Sequence, residues 1–139
     1  MLRQTFFALL LLQVGSFGIL VAQENQPDGA QATTKEWLSK LDSADYIGTW
    51  ESAASIFKAA LSSQAWQQAS AAVRTPLGAV RQRSEISTVP TKTLPGVPDG
   101  DYVVIQFNTV FENKAQAVET VIATLDQDGS WKVAGYFVR

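Results

Sequence analysis

The groups in this chain that could do chemistry are carboxylates, guanidiniums and phenols. Arg81, Arg83 and Glu85 alternate along one stretch, so in an extended strand they share a face. Glu119 falls in the middle of a later β-rich stretch, where a cross-strand Arg would satisfy it. Arg74 stands at the end of a helical pattern, where the helix dipole favours a cation that can clamp an anion or pair with a carboxylate. Asp42, Asp99, Asp101, Glu119 and Tyr102 are the groups left to move a proton, because two carboxylates pushed apart in pKa can serve as acid and base. The chain has no His and no Cys. That removes a Ser-His-Asp triad, a thiol nucleophile, His- or thiolate-ligated metal and any disulfide. Asp126, Asp128 and Gly129 outline a calcium loop, but Ser130, Trp131 and Lys132 follow where further oxygen ligands are needed, so they read as a hairpin turn. No metal, cofactor or catalytic set is expected.

The placement of the charges decides what they can do. Inside a sheet's concavity, Arg81, Arg83, Glu85 and Glu119 would form a polar site in an apolar cup, the usual form of a small-ligand pocket. Outside, they would form a solvated ladder of little energetic weight. The ladder is the preferred reading for the first strand. With 11 Lys and Arg against 13 Asp and Glu, the net charge of −2 gives no basic face for nucleic acid.

The elements that must position these groups lie in 139 residues, enough for one ordinary domain. Residues 1–22 read as a secretory signal: Arg3 precedes an apolar run from Phe6 to Ala22, and Glu24 to Asp28 are polar. Cleavage is expected after Ala22. If retained instead, the run would be a short membrane anchor, weakened by Gln13, Gly15, Ser16 and Gly18. Either way the domain sits outside the cytoplasm, periplasmic or extracellular. Residues 23–32 are polar and small and read as a flexible tether. Residues 33–139 remain as a single domain.

Thr33 or Thr34 caps a helix carrying Trp37, Leu38 and Leu41 on one face. Asp45 caps a second, long helix whose single stripe is Ile47, Trp50, Ala54, Phe57 and Leu61. Ser62-Ser63 restarts a third, with Trp66, Ala69, Ala72 and Val73 on its buried side, ended by Pro76. After Gly78 the period shifts to two. Strands are predicted over 79–89, 102–112, 117–126 and 131–138, with Pro- and Gly-rich residues 90–101 as a stiff connection. Val103, Ile105, Phe107, Thr109 and Phe111 face one way and Val104, Gln106, Asn108, Val110 and Glu112 the other. Trp131, Val133 and Phe137 share a face of the last strand, while Tyr102 beside the Pro-Gly connection is partly exposed. Helices followed by antiparallel strands make an α+β fold: a curved four-stranded sheet covered on one face by the long second helix, with Trp50 and Trp131 in the core.

A wider set of residues carries a resemblance. It comprises Trp37-Leu38, Asp42, Tyr46, Thr49-Trp50, Phe57, Trp66, Arg74-Thr75-Pro76-Leu77-Gly78 and Arg83. Further along it comprises Leu94-Pro95-Gly96, Pro98-Asp99-Gly100-Asp101-Tyr102, Phe111-Glu112-Asn113-Lys114, Val118-Glu119-Thr120, Asp128-Gly129, Trp131 and Gly135 to Arg139. The chain resembles the DUF4019 family over residues 35–139, with Thr49 where Ser is expected. The resemblance implies export, one domain and a helix-on-sheet fold of the cystatin or nuclear-transport-factor-2 type. It implies no substrate, and such folds serve many functions.

Three functions fit these observations. The first is an exported binding or accessory module for an unidentified small molecule or envelope protein. Its pocket would lie between the second helix and the sheet, with Arg74, Arg83, Tyr102 and Glu119 as binding residues. The second is an enzyme of isomerase or hydratase type, using carboxylates in the same cup. The third is an interaction scaffold, such as a homodimer through the sheet face bearing Val104, Gln106, Asn108 and Val110. A catalytic role is the less favoured of these.

Overall fold

The computed structural model describes residues 27–139. The expected signal, its cleavage after Ala22 and the first residues of the expected tether lie outside the described residues. The elements run α1 (Pro27–Asp42), α2 (Tyr46–Glu51), α3 (Ser55–Ala60), α4 (Ser63–Leu77), then β1 (Val80–Thr91), β2 (Tyr102–Phe111), β3 (Lys114–Leu125) and β4 (Trp131–Val138). The four strands form one antiparallel sheet in sequence order. The fold is α+β, with the helices packed on one face of the sheet.

The covering helix is α1, not the second helix. Ala30, Thr34, Trp37, Leu38 and Leu41 are buried, a stripe at helical spacing that crosses all four strands. The helix also begins earlier than Thr33. Pro27 sits in the first turn, where its fixed φ suits a helix and its missing N–H costs nothing. The stretch expected as tether is therefore helical from Pro27 onward. Its small residues are a packing device: Ala30 is fully buried, and a Cβ on Gly29 would stand 2.9 Å from Cδ1 of Trp131. Thr34 is interior and not a cap.

The long second helix is instead two short ones. Asp45 caps α2 as expected, its Oδ1 accepting from Gly48 N at 2.9 Å. Then Ser52 Oγ takes the Gly48 carbonyl at 2.7 Å, and Ala54 turns extended so that its N–H donates to Val133 O of β4 at 2.8 Å. A tertiary bond to the sheet edge outweighs continuation of the helix. Ile47 consequently leaves the expected stripe and is half exposed.

α4 is capped by Ser62, whose Oγ accepts from Ala65 N at 3.1 Å. Its buried face is Trp66, Ser70 and Arg74, while Ala69, Ala72 and Val73 are exposed. The stripe is rotated from the expected one because Arg74 turns inward to a carboxylate. Pro76 lies in the last turn, and the helix ends beyond it at Gly78, whose φ of 74° only glycine adopts freely.

In the sheet, Val103, Ile105, Phe107, Thr109 and Phe111 face the helices as expected. β4 departs from simple alternation. The register moves from Ala123↔Val133 to Ile122↔Gly135, so Ala134 is an extra residue. This bulge turns Tyr136 inward and Phe137 outward, where it is 60% exposed; Phe137 does not share a face with Val133. Trp37, Trp66, Phe57 and Tyr136 stack through the core with centroids 5.0–6.0 Å apart, and Trp50 and Trp131 pack against it. Thr49 organises this cluster. Its carbonyl accepts from Trp37 Nε1 and its Oγ1 from Trp66 Nε1, both at 2.9 Å.

Helical packing of residues 27–32 makes a direct prediction. Ala30→Asp would bury an unpaired carboxylate, expected to cost about 3–5 kcal/mol. A melting temperature lowered by ten degrees or more is the expected outcome; an unchanged one would mean these residues are a loose tether.

Candidate functional site

The inner face of the sheet holds an ionic cluster where an apolar row would be expected, buried at Glu119 and Arg74 and reaching solvent at Asp42. Arg83 of β1 points inward and reaches across β2 to Glu119 of β3, which is fully buried. Arg83 Nε donates to Glu119 Oε1 at 2.7 Å, and Nη2 to Oε2 at 3.2 Å. The opposite edge of the same guanidinium grips Asp42 at the end of α1, with Nη1 on Oδ2 at 2.8 Å and Nη2 on Oδ1 at 2.9 Å. Arg74 Nη2 joins Asp42 Oδ1 from α4 at 2.9 Å. Thr109 Oγ1 and Tyr136 OH each donate to Glu119, completing its four contacts. Two cations and two anions thus tie α1, α4, β1 and β3 together.

The preferred reading of a solvated ladder is overturned for Arg83 and Glu119. Alternation with Val121 and Ala123 puts Glu119 on the inner side, where a guanidinium long enough to cross β2 supplies its counter-charge. Arg81 and Glu85 keep exposed positions, Arg81 beside Glu112 at 3.6 Å and Glu85 accepting from Gln31 of α1 at 2.6 Å. Arg74 has the carboxylate partner that its place at a helix end allowed. It also lies 5.1 Å from the Phe111 ring centroid, a cation–π contact. Its Nε and Nη1 are buried without an acceptor among the described residues.

Electrostatics make the cluster a lock. Burial opposes the charge on Asp42, but hydrogen bonds and charge from Arg83 and then Arg74 outweigh it and hold the carboxyl below its ordinary range. Burial likewise opposes the charge on Arg83, and its two carboxylate partners more than offset that, keeping it protonated. Burial, then the Glu119 carboxylate, push the Tyr136 phenol far above its usual value. A general acid or base needs a pKa near the working pH, and Asp42 is moved the other way. The other candidates for proton transfer are scattered: Asp99 is exposed on its loop, and Asp101 pairs with Lys92. Asp126 accepts from Gln127 N in the turn at 2.9 Å and from the Ser55 N–H at the start of α3 at 3.0 Å, and Asp128 accepts from Ser130 N at 3.0 Å, so both hold the hairpin and its neighbour in place.

Of the four expected binding residues, Arg74, Arg83 and Glu119 meet and Tyr102 does not. Tyr102 points to the outer side of the sheet, is buried beneath the 92–101 loop and donates its OH to Pro98 O at 2.5 Å. It lines a separate, half-open cavity of about 350 Å³. The walls are Phe57 and Leu61 of α3 and its exit, Trp66 of α4, Leu94 and Val97 of the loop, and the bulged segment of β4 from Ala134 to Phe137. The space therefore runs along the β4 edge, against the α3 part of the expected second helix. Asp42, expected in the cup as a proton-transfer candidate, is instead an ion-pair partner; Thr109 and Tyr136 are the members that sequence reasoning missed. Thr109 carried a signal, being the one hydroxyl in an inward row of Val, Ile and Phe.

Helices on one face of a four-stranded meander, closed by an inward ionic cluster, define a small α+β helix-on-sheet domain. A family model described as a protein of unknown function, DUF4019, matches residues 33–136, and the chain belongs to that family. No curated protein and no solved structure matches the chain.

Removing one partner of the lock strands the others. Arg83→Met is expected to cost about 3–5 kcal/mol in urea unfolding, and adding Glu119→Leu to recover part of it. A loss under about 0.5 kcal/mol, the size for an exposed pair, would contradict a buried lock. The pH dependence has a definite sign. A carboxyl depressed in the folded state contributes stability above its unfolded pKa of 3.8 and loses it as pH falls further. Unfolding free energy should therefore drop below about pH 4, less steeply in Asp42→Asn.

Proposed function

We propose that this protein is an exported binding module that accepts an apolar group of its ligand in the cavity along β4. The observation that carries this reading is the cavity itself: about 350 Å³, walled by Phe57, Trp66, Tyr102 and Tyr136, with exposed Phe137 at its rim. That volume lies within the common range for small-molecule pockets, which are mostly apolar with few polar groups. The polar tips of the wall are already engaged. Tyr136 OH is held by Glu119, Tyr102 OH by Pro98 O and Trp66 Nε1 by Thr49. Recognition there works by shape and apolar contact, which favours an aliphatic or aromatic moiety over a charged one and favours binding over proton transfer. Export is supported by the order of basic tip, apolar run and polar exit over residues 1–28.

Thermal melting with millimolar indole and octanoate tests the reading. A ligand selective for the folded state raises the melting temperature by mass action. A rise of several degrees with at least one probe is expected, and its loss in Ala60→Trp, which fills the cavity from an exposed position on α3. No shift with either probe, or a shift that Ala60→Trp leaves intact, would remove the cavity as the binding site.

A further inference from the structure

The side of the sheet turned away from the helices has an unusual composition. Val104, Gln106, Asn108 and Val110 of β2 point outward beside Val118 and Thr120 of β3, with Gln106 Nε2 donating to Thr120 Oγ1 at 3.1 Å. Ser87 and Val89 extend the face on β1, Ile122 and Phe137 on the other side. None of these residues is charged, although 17% of the chain is Asp, Glu, Lys or Arg. Among the described residues, charge stands at the ends of this face and not at its centre: Arg139 closes β4, Lys132 pairs with outward Thr124, and Glu112 follows Val110 beside Arg81. An uncovered sheet face in water ordinarily carries Lys and Glu at such positions, whereas the centre of an interface is depleted of them.

We propose that this face pairs with the same face of a second copy of the chain, sheet against sheet about a two-fold axis. Charge selects this occupant. A two-fold contact sets each residue near its own copy, so a charged face would repel itself and a neutral one does not. A steered foreign partner would need charge to recognise, and the centre of the face offers none. Size places the contact at the low end of specific interfaces. With the Tyr102 end under the 92–101 loop, four strands about 4.8 Å apart and about eight residues long leave a plane of about 19 by 26 Å, or about 500 Å² before side-chain relief, against about 800 Å² per partner in a standard interface. The half-exposed Val89 and the 60% exposed Phe137 would gain most from cover. Pairing through this face does not depend on the cavity being a binding site.

Sedimentation of the full chain as the expressing cell leaves it, in detergent if the N-terminal run is retained, decides the matter. The parent is expected to sediment at twice the mass of one chain. Gln106→Lys and Val118→Lys each put like charges at the centre of the pairing and should halve that mass while leaving the melting of a monomeric chain intact. Ala72→Lys, on the exposed side of α4, should leave the dimer unchanged. A second central variant is included so that misfolding of one does not obscure the result. A parent that stays a monomer at the highest attainable concentration overturns the proposal. So does a dimer that persists in both central lysine variants.

Discussion

The fold depends on one guanidinium. Arg83 sits where four elements meet, and its two edges serve two carboxylates that lie far apart in sequence, Asp42 and Glu119. Glu119 is fully buried on a strand whose inward neighbours are Val121 and Ala123. Without a fixed cation it would be a desolvated charge, which is among the costlier things a core can contain. With Arg83, Thr109 and Tyr136 all donating to it, its lone pairs are used and its position is set to within a hydrogen bond. Such a cluster gives little net stability over an apolar replacement, but it penalises any packing that separates its members. It therefore pins the ends of α1 and α4 to the sheet, where apolar contact alone would tolerate sliding.

That requirement explains departures from simple periodicity. α4 would bury Ala69, Ala72 and Val73 if hydrophobicity alone chose its face. The pull of Asp42 on Arg74 rotates it and leaves Val73 half exposed. The β4 bulge at Ala134 works in the same direction. By inserting one residue it turns Tyr136 toward Glu119 and sends Phe137 out, so a phenol completes the cluster at the expense of an apolar side chain.

Local signals and long-range signals differ in how much they disclose. Alternation along Tyr102–Phe111, the Asp45 cap and the aromatic core are local, and the residues report them directly. The split between α2 and α3 is not local. It exists because Ala54 N–H finds Val133 O nearly eighty residues later, and no pattern around Ser52 announces a partner in β4. The start of α1 was hidden for a related reason: Gly29 and Ala30 look like linker composition until Trp131 is seen against them. For the site, charge at period-two spacing drew attention to Arg83 and Glu119. Which face was inward required the register of β1 on β2, which two bulges shift. Tyr102 shares the chemistry of the cluster and not its place. Its strand position turns it to the other side of the sheet.

Seen from the sheet, the usual arrangement of charge is reversed. An antiparallel sheet with one wet face ordinarily keeps ions outward and apolar groups inward. Here Arg83 and Glu119 are inward and satisfied, while the outward side chains of β2 and β3 are amides, hydroxyls and aliphatics. The inward cluster is electrically closed, two cations against two anions, so it projects little field through the sheet. The centre of the outer face is consequently neutral both in its own residues and in what lies behind it. A neutral, half-apolar plane has weak claims on water and no preference for a partner of either sign. What remains to discriminate among partners is shape, and the surface that matches the twist and corrugation of a sheet face most readily is another sheet face packed about 10 Å away.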